Sequence, residues 1–265
     1  MASALRVLVA LSETSEPIGI SDLSRRLGVG KSSMHAILAT LADLGFVEQA
    51  PGSPRYRLGF VAFEVGAAVL EQLKLGAYLT PPMERLAHES QEAVSLAVLH
   101  DRSAVFVHRF ESTHVLRADI RLGTRMPLHG SASGKCLLSE LSHEEIKRLY
   151  PTDELDLATP RTIRRRAELL DELERVRQLG YATDLDEYVV GVSAVACPVR
   201  NGEGRTVAAL SVAGPSARFE GERWIARMLA IAEEMNRVLG PMTTGELRWQ
   251  AFDLASESRR SPGRS

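Results

Sequence analysis

The chain has 265 residues, of which 45% are hydrophobic and 25% are charged, and its formal net charge is −2. These values are typical of a globular protein with about two domains of ~150 residues each. The two cysteines are too few for a disulfide framework, no segment reaches the ~20 apolar residues of a membrane span, and the N-terminus lacks a signal-peptide pattern. We therefore expect a cytoplasmic protein that does not bind a membrane.

The N-terminal 60 residues predict three helices and a hairpin. Ser21 is expected to cap the second helix, and Gly28 to end it in the left-handed conformation. The third helix has apolar side chains at helical spacing, namely Met34, Ile37, Leu38, Leu41 and Leu44. The predicted elements are helices over residues 1–13, 21–28 and 31–44 and strands over 46–50 and 55–58, joined by a Pro-Gly-Ser-Pro turn. This order is that of a winged helix-turn-helix, which places one helix in the major groove of DNA.

Short polar or basic side chains occupy the outward positions of the third helix, as contacts to phosphates and base edges require. The predicted DNA-contacting residues are Arg25, Lys31, Ser32, Ser33, His35, Ala36 and Thr40, with Arg55 and Arg57 on the wing. The alternative is a helical hairpin that only packs. The stretch 24–40 argues against it, because it holds three basic residues and no acid. Residues 1–60 carry a net charge of only +1, so this module needs dimerisation to gain affinity for DNA.

The rest of the chain predicts an antiparallel sheet flanked by helices, an α+β architecture. Its first helix is too apolar to stand alone, so it packs either on the same helix of a second chain or on its own domain. Ser142 and Glu145 predict a capping box. The predicted elements are helices at 60–75 and 81–88, strands at 93–100, 104–110 and 115–122, helices at 131–141, 142–149 and 162–179, strands at 181–185, 192–199 and 206–213, and a helix at 220–239.

Several enzyme motifs fail on inspection, so we predict no catalytic residue, no cofactor and no metal. A phosphate-binding loop at Gly30-Lys31-Ser32 would need a glycine where Arg25 stands, and a nucleophile elbow at 130–134 has Ala132 in the nucleophile position. No histidine has another histidine or cysteine at metal-ligand spacing, although a zinc site assembled in space stays open as an alternative.

Five segments carry a resemblance to a known family: GTRMP at 123–127, SASGK at 131–135, DLDE at 184–187, ACPV at 196–199 and LSVAGP at 210–215. With them, the chain resembles the IclR family of bacterial transcriptional regulators from residue 3 to about residue 239. The resemblance implies a winged helix-turn-helix domain at 1–60, a linker and dimerisation helix at 61–76, a GAF-like effector domain at 77–240 and a partly disordered tail at 241–265. It also implies a homodimer or a dimer of dimers.

The resemblance also implies an effector pocket, lined by Val115, Ala118, Met126, Ala132, Ser133, Asp184, Ala194, Ser211 and Ala213. Ala194 and Ala213 stand where family members have more polar side chains, and Ala36 replaces a common arginine of the DNA-reading helix. Free N–H groups at the start of the helix at 131–141 are suited to a carboxylate. Asp184 would repel that carboxylate, so it is expected to bind a hydroxyl group of the ligand instead.

The leading interpretation is a regulator that binds a double-stranded DNA operator and is controlled by a small organic acid. One alternative is a constitutive DNA-binding protein whose C-terminal domain only oligomerises. Another is a small-molecule enzyme fused to a DNA-binding domain, which lacks a positioned nucleophile or acid–base pair in this sequence.

Overall fold

A computed structural model describes residues 1–72, 75–117 and 120–240, with the side chains of 70–77 left out. The chain divides into two compact units, one comprising Met1–Gln72 and the other beginning at Leu73. The predicted tail at 241–265 lies outside the described residues. Within the described ranges, no helix is long and apolar enough to cross a membrane.

The first unit has the predicted winged helix-turn-helix architecture. Its core is formed by apolar residues of all three N-terminal helices, including Val7, Leu23, Met34 and Leu38. The ribbon strands pair antiparallel, and a short strand adds a third member in the order β1-β3-β2. The elements are α1 (Ala2–Ser12), β1 (Ile18–Gly19), α2 (Ile20–Leu27), α3 (Lys31–Asp43), β2 (Val47–Gln49), β3 (Arg55–Leu58) and α4 (Phe60–Gln72).

Gly28 ends α2 with φ 65°, as predicted for the left-handed conformation. Two details of the prediction are wrong. Ser21 does not cap α2, because the helix begins one residue earlier and Gly19 is its N-cap residue. Leu44, expected to be buried with the other apolar side chains of the third helix, is instead 59% exposed at the C-cap position that follows α3. The strand β1 was not predicted, since two residues show no alternation.

The second unit is a six-stranded antiparallel sheet between two layers of helices, with strand order β6-β5-β4-β9-β8-β7. The helices α5 and α9 cover one face with a core that includes Met83, Leu210 and Met235. The other face packs on α6, α7 and α8. The elements are α5 (Leu75–Ser90), β4 (Ala93–His100), β5 (Ser103–Phe110), β6 (Arg125–Pro127), α6 (Ala132–Leu138), α7 (His143–Leu149), α8 (Arg166–Leu179), β7 (Ala182–Leu185), β8 (Val192–Arg200), β9 (Thr206–Pro215) and α9 (Gly221–Leu239).

Hydrogen bonds and packing move the ends of three predicted helices. The helix expected to start at Pro81 begins at Leu75, and the buried Leu79 and Met83 hold it across the prolines. The helix expected at 131–141 ends at Leu138, where Ser139 turns its hydroxyl back to the carbonyl of Cys136. The predicted capping box of α7 is present.

The helix expected at 162–179 begins only at Arg166, because Thr162 is held in a loop. Its Oγ1 accepts hydrogen bonds from the backbone N–H groups of Ala158 and Thr159 and donates to the carbonyl of Glu187. These bonds attach the loop before α8 to the loop between β7 and β8.

The prediction of a strand at 115–122 is also wrong. The described part of this stretch runs through bends, and the third strand of the region is instead β6. Side-chain hydrogen bonds replace strand pairing, since Ser112 donates to the carbonyl of Gln91 and Arg218 to that of Leu116. The alternation of apolar and polar residues at 115–122 therefore does not correspond to the two faces of a strand.

Candidate DNA-binding surface and effector site

One face of α3 is fully open to solvent in the first unit. Met34, Leu38 and Leu41 bury the opposite face, and the 3.6-residue period turns the remaining positions outward. All six predicted contact residues of this helix are exposed, namely Lys31, Ser32, Ser33, His35, Ala36 and Thr40. The Thr40 hydroxyl donates to the carbonyl of Ala36, 3.0 Å away. The remaining side chains of this face make a polar, weakly basic strip suited to a DNA groove.

The predicted arginines beside this strip are also exposed, but two of them have acidic partners. Arg25 lies 2.9 Å from Asp22 on α2, and Arg57 lies 2.6 Å from Glu48 on the neighbouring strand. Arg55 instead donates to the backbone carbonyl of Pro17 at 3.3 Å. The charges that face the DNA strip are therefore partly neutralised within the unit itself.

In the second unit, strand register brings predicted effector residues into one row. Asp184 on β7 pairs with Ala194 on β8, which pairs with Ala213 on β9. Directly paired residues of an antiparallel sheet point to the same face, so these three side chains are neighbours. The next row on this face contains Ser211, which pairs with Ser95.

This row includes a local opening in a buried sheet. Ala194 and Ala213 are only partly buried, although Ser211 and most of β8 and β9 are buried. The helix α6 covers the adjacent part of the face, because the Cys136 Sγ contacts the carbonyl of Ala196 at 3.3 Å. Each of the two alanines carries only a methyl group, so a larger side chain at either position would project further from the sheet.

Asp184 has an unusual electrostatic environment. Its side chain is buried, and its Oδ1 accepts the backbone N–H of Glu187 at 2.7 Å. The pKa of the Asp184 carboxyl is raised to about 7, chiefly by burial and also by the nearby Glu187 carboxylate, while backbone hydrogen bonds and the Lys135 charge oppose the shift. Near neutral pH this group is therefore only partly charged. The expected repulsion between Asp184 and a ligand carboxylate is correspondingly reduced, and the protonated form can donate a hydrogen bond.

A buried lysine stands behind this carboxyl and was not predicted from the sequence. Lys135 on α6 is 1% exposed, and its Nζ lies 2.7 Å and 2.8 Å from the two oxygens of Glu187 and 3.5 Å from Glu172 on α8. Burial raises the pKa of Glu187, although Lys135 opposes the shift. Burial also opposes ionisation of Glu172, but Arg175 and Lys135 hold the pKa of that carboxyl below its usual value. The sequence contains one signal for this burial. The residues around Lys135 are small or apolar, so the helix has no polar face that would keep the lysine in solvent.

A second buried cation lies on the same sheet face. Arg109 on β5 pairs with Ser95, and its Nη1 donates to the Ser95 hydroxyl at 2.9 Å. Its Nε lies 2.8 Å from Glu111. Nothing in the sequence separated this arginine from an ordinary strand residue.

The other predicted effector residues differ in burial, and not all of them lie near the opening. Met126, Ala132 and Ser133 are buried near α6, and Ser131 caps that helix by accepting the N–H of Gly134 at 3.2 Å. Val115 is 101% exposed, so in this conformation it does not line the opening, and Ala118 lies outside the described residues. In the part of the chain that the structure describes, no three His, Cys, Asp or Glu side chains form a metal-binding group.

Comparisons with known proteins identify the family of both units. Residues 3–51 match the IclR helix-turn-helix domain, and residues 67–239 match the family described as bacterial transcriptional regulator IclR C-terminal. The regulator KdgR of Escherichia coli is 34% identical over 237 residues, which cover 88% of this chain and 90% of KdgR. The transcriptional repressor IclR of the same organism is 29% identical over 90% of this chain and 89% of its own.

A solved structure extends the similarity to three dimensions. The crystal structure of an IclR homolog from Microbacterium hydrocarbonoxydans, complexed with 4-hydroxybenzoate, superposes with a TM-score of 0.80 and 25% identity. The match covers 90% of this chain and 98% of that one. By sequence and by fold, this chain belongs to the IclR family of bacterial transcriptional regulators.

Proposed function

We propose that this regulator binds an operator as a homo-oligomer and that a small organic acid, bound at the Ala194–Ala213 opening, controls its affinity for DNA. The observation that carries the proposal is this opening beside a buried, partly protonated Asp184. A homolog of the same fold was crystallised with 4-hydroxybenzoate, an acid with a hydroxyl at its other end. The relatives found are named regulators, so we assign the chain no catalytic activity.

The DNA contacts follow from exposure and charge. The outward side chains of α3 enter the major groove, where Lys31, Ser33 and His35 reach base edges or phosphates. Arg25 in α2 and Arg55 and Arg57 on the wing contact the DNA backbone. Backbone contacts supply affinity for every sequence, and the α3 side chains supply the preference for the operator.

Self-association is supported by the helix α4. This helix exposes the large apolar side chains Phe60, Phe63, Val65 and Val69, with the two phenylalanine rings 5.5 Å apart. Such a surface is costly to leave in water, and the same helix of a second chain would cover it. The apolar pattern of this helix predicts that Val65, Val69 and Leu73 are buried between the two copies; Leu73 lies outside the described residues.

Val69→Asp tests the assembly. A carboxylate placed in an apolar interface loses its water without gaining a partner, so we expect this variant to sediment as a monomer. Glu64→Gln, on the same helix, changes one polar exposed side chain into another and serves as the control. A Val69→Asp species as large as the wild type would remove α4 from the interface.

The DNA and effector assignments are tested together by selection from a random pool of duplexes. We expect the full-length protein to enrich one operator sequence, and a panel of aromatic and aliphatic carboxylic acids, including 4-hydroxybenzoate, to contain members that change its affinity. Enrichment with no response to any acid would favour a constitutive DNA-binding protein. Failure to enrich any sequence would contradict the α3 assignment.

A further inference from the structure

Three arginines of the first unit each have an acidic partner. Arg25 contacts Asp22, Arg26 contacts Glu13, and Arg57 contacts Glu48. The unit has only five acidic residues before α4, so most of them are used in this way. Among the described residues, Lys31 has no such ion pair. The surface proposed to approach DNA therefore contains competing anions at selected positions.

The Glu48–Arg57 pair has the most defined geometry of the three. Glu48 on β2 lies directly opposite Arg57 on β3 in the strand register. The Nε of Arg57 donates to Glu48 Oε1 at 2.7 Å, and its Nη2 lies 2.6 Å from the same oxygen. The two side chains are 52% and 48% exposed, so solvent and a third group can reach both. One N–H of the guanidinium thus donates to a carboxylate, and a second nitrogen lies beside the same oxygen.

A DNA phosphate and Glu48 would compete for the same donors. Arginine pairs with phosphate and carboxylate through the same planar N–H groups. The side chain of Arg55, on the same strand, donates to the neutral carbonyl of Pro17 and has no carboxylate partner among the described residues. When Arg57 turns to a phosphate, the Glu48 carboxylate remains nearby and repels the phosphate as well.

We propose that Glu48 is a competing anion that lowers the affinity of the wing for DNA of any sequence. This inference rests on the proposed contact between Arg57 and the DNA backbone. Because a backbone phosphate is the same at every base pair, Glu48 reduces operator and non-operator binding by the same factor. Because Glu48 weakens the contribution of the wing, more of the affinity for the operator must come from the base contacts of α3.

Glu48→Gln tests the inference, with a labelled duplex of random sequence as the probe for the full-length protein. An exposed ion pair contributes about 0.2–1 kcal/mol, so we expect an affinity increase of up to about fivefold per wing. Net neutralisation of DNA charge increases, so the slope of log affinity against log salt should become steeper by up to ~0.9 per wing. Anisotropy titrations at several salt concentrations measure both quantities.

A double-mutant cycle with Arg57→Gln identifies the partner. The gain from Glu48→Gln should be clearly smaller when Arg57 is already Gln, because only the direct repulsion between Glu48 and the phosphate then remains. Asp43→Asn, which removes a carboxylate at the end of α3, is the matched control and should change affinity equally in both backgrounds. Glu48→Thr, suited to a strand, repeats the test, and thermal melting verifies that each variant is folded.

The outcomes separate this inference from the function on which it rests. If Arg57→Gln weakens binding while neither Glu48 variant strengthens it, Glu48 is not a competing anion and the wing contact stands. An equal gain in both backgrounds would also overturn the inference, because Glu48 would then act only through overall charge. If Arg57→Gln leaves affinity and salt slope unchanged, the wing contact itself is wrong and the inference fails with it.

Discussion

Arg57 and Lys135 both pair with a glutamate, but their surroundings differ in a way that separates the two units. The Arg57–Glu48 pair lies half-exposed on a ribbon, where salt screens it and another anion can replace its partner. The Lys135–Glu187 pair lies between α6 and the β7–β8 loop, where the lysine side chain is 2% exposed and the glutamate side chain 12%. The first pair can therefore exchange its glutamate for the DNA phosphate proposed above. The second holds a fixed arrangement beside the proposed ligand site.

Removing one partner from each pair gives the largest expected contrast. Lys135→Met should lower the free energy of unfolding by about 3–5 kcal/mol, because it leaves Glu187 buried without its cation. Arg57→Gln should lower it by about 1 kcal/mol or less, since its glutamate stays hydrated. Chemical denaturation of the full-length variants measures both. Equal losses would mean that the Lys135 cluster is hydrated in solution.

Adding Glu187→Gln to Lys135→Met sharpens this contrast. The double variant has no unpaired glutamate at that position, so it should recover much of the stability that the single variant loses. No recovery would show that Lys135 stabilises the unit through the packing of its methylene groups rather than through charge.

A smaller effect is expected from Asp184→Asn, and it depends on pH. The pKa of Asp184 is about 7 in the folded chain and near its ordinary 3.8 when unfolded, so the unfolded state loses this proton first as pH rises. The wild type should therefore lose about 2–4 kcal/mol of unfolding free energy between about pH 4 and pH 7 through this group. Asp184→Asn keeps an oxygen that accepts the Glu187 N–H. Because asparagine does not ionise, its free energy of unfolding should not fall over this pH range through this group. Parallel pH profiles for the two proteins would contradict the shift.

The first unit could be predicted from sequence more fully than the second for a physical reason. Its helices and ribbon are set by local features, such as the apolar period of α3 and the left-handed Gly28. The loop that holds Thr162 depends instead on Glu187, which is distant in the chain. The open stretch at Val115 likewise depends on Arg218, whose side chain bonds to the carbonyl of the next residue.

The effector site shows the same division. Family resemblance named Asp184, Ala194 and Ala213, and the strand register brings them into one row. The raised pKa of Asp184 comes first from its burial and is opposed by Lys135, which approaches from α6. Neither the burial nor the position of this lysine follows from spacing along the sequence, so the altered ionisation of Asp184 could not be predicted from residue type.

The central claim, that a ligand in the second unit controls DNA binding by the first, is tested most directly by one pair of variants. Ala213→Leu fills the opening, whereas Ala217→Leu adds the same atoms at an exposed position after β9. Operator affinity is measured by anisotropy with and without an acid that alters it in the wild type. We expect Ala213→Leu to bind the operator like the wild type but to lose the response, and Ala217→Leu to keep it. A full response from Ala213→Leu would contradict the account and place the effector elsewhere.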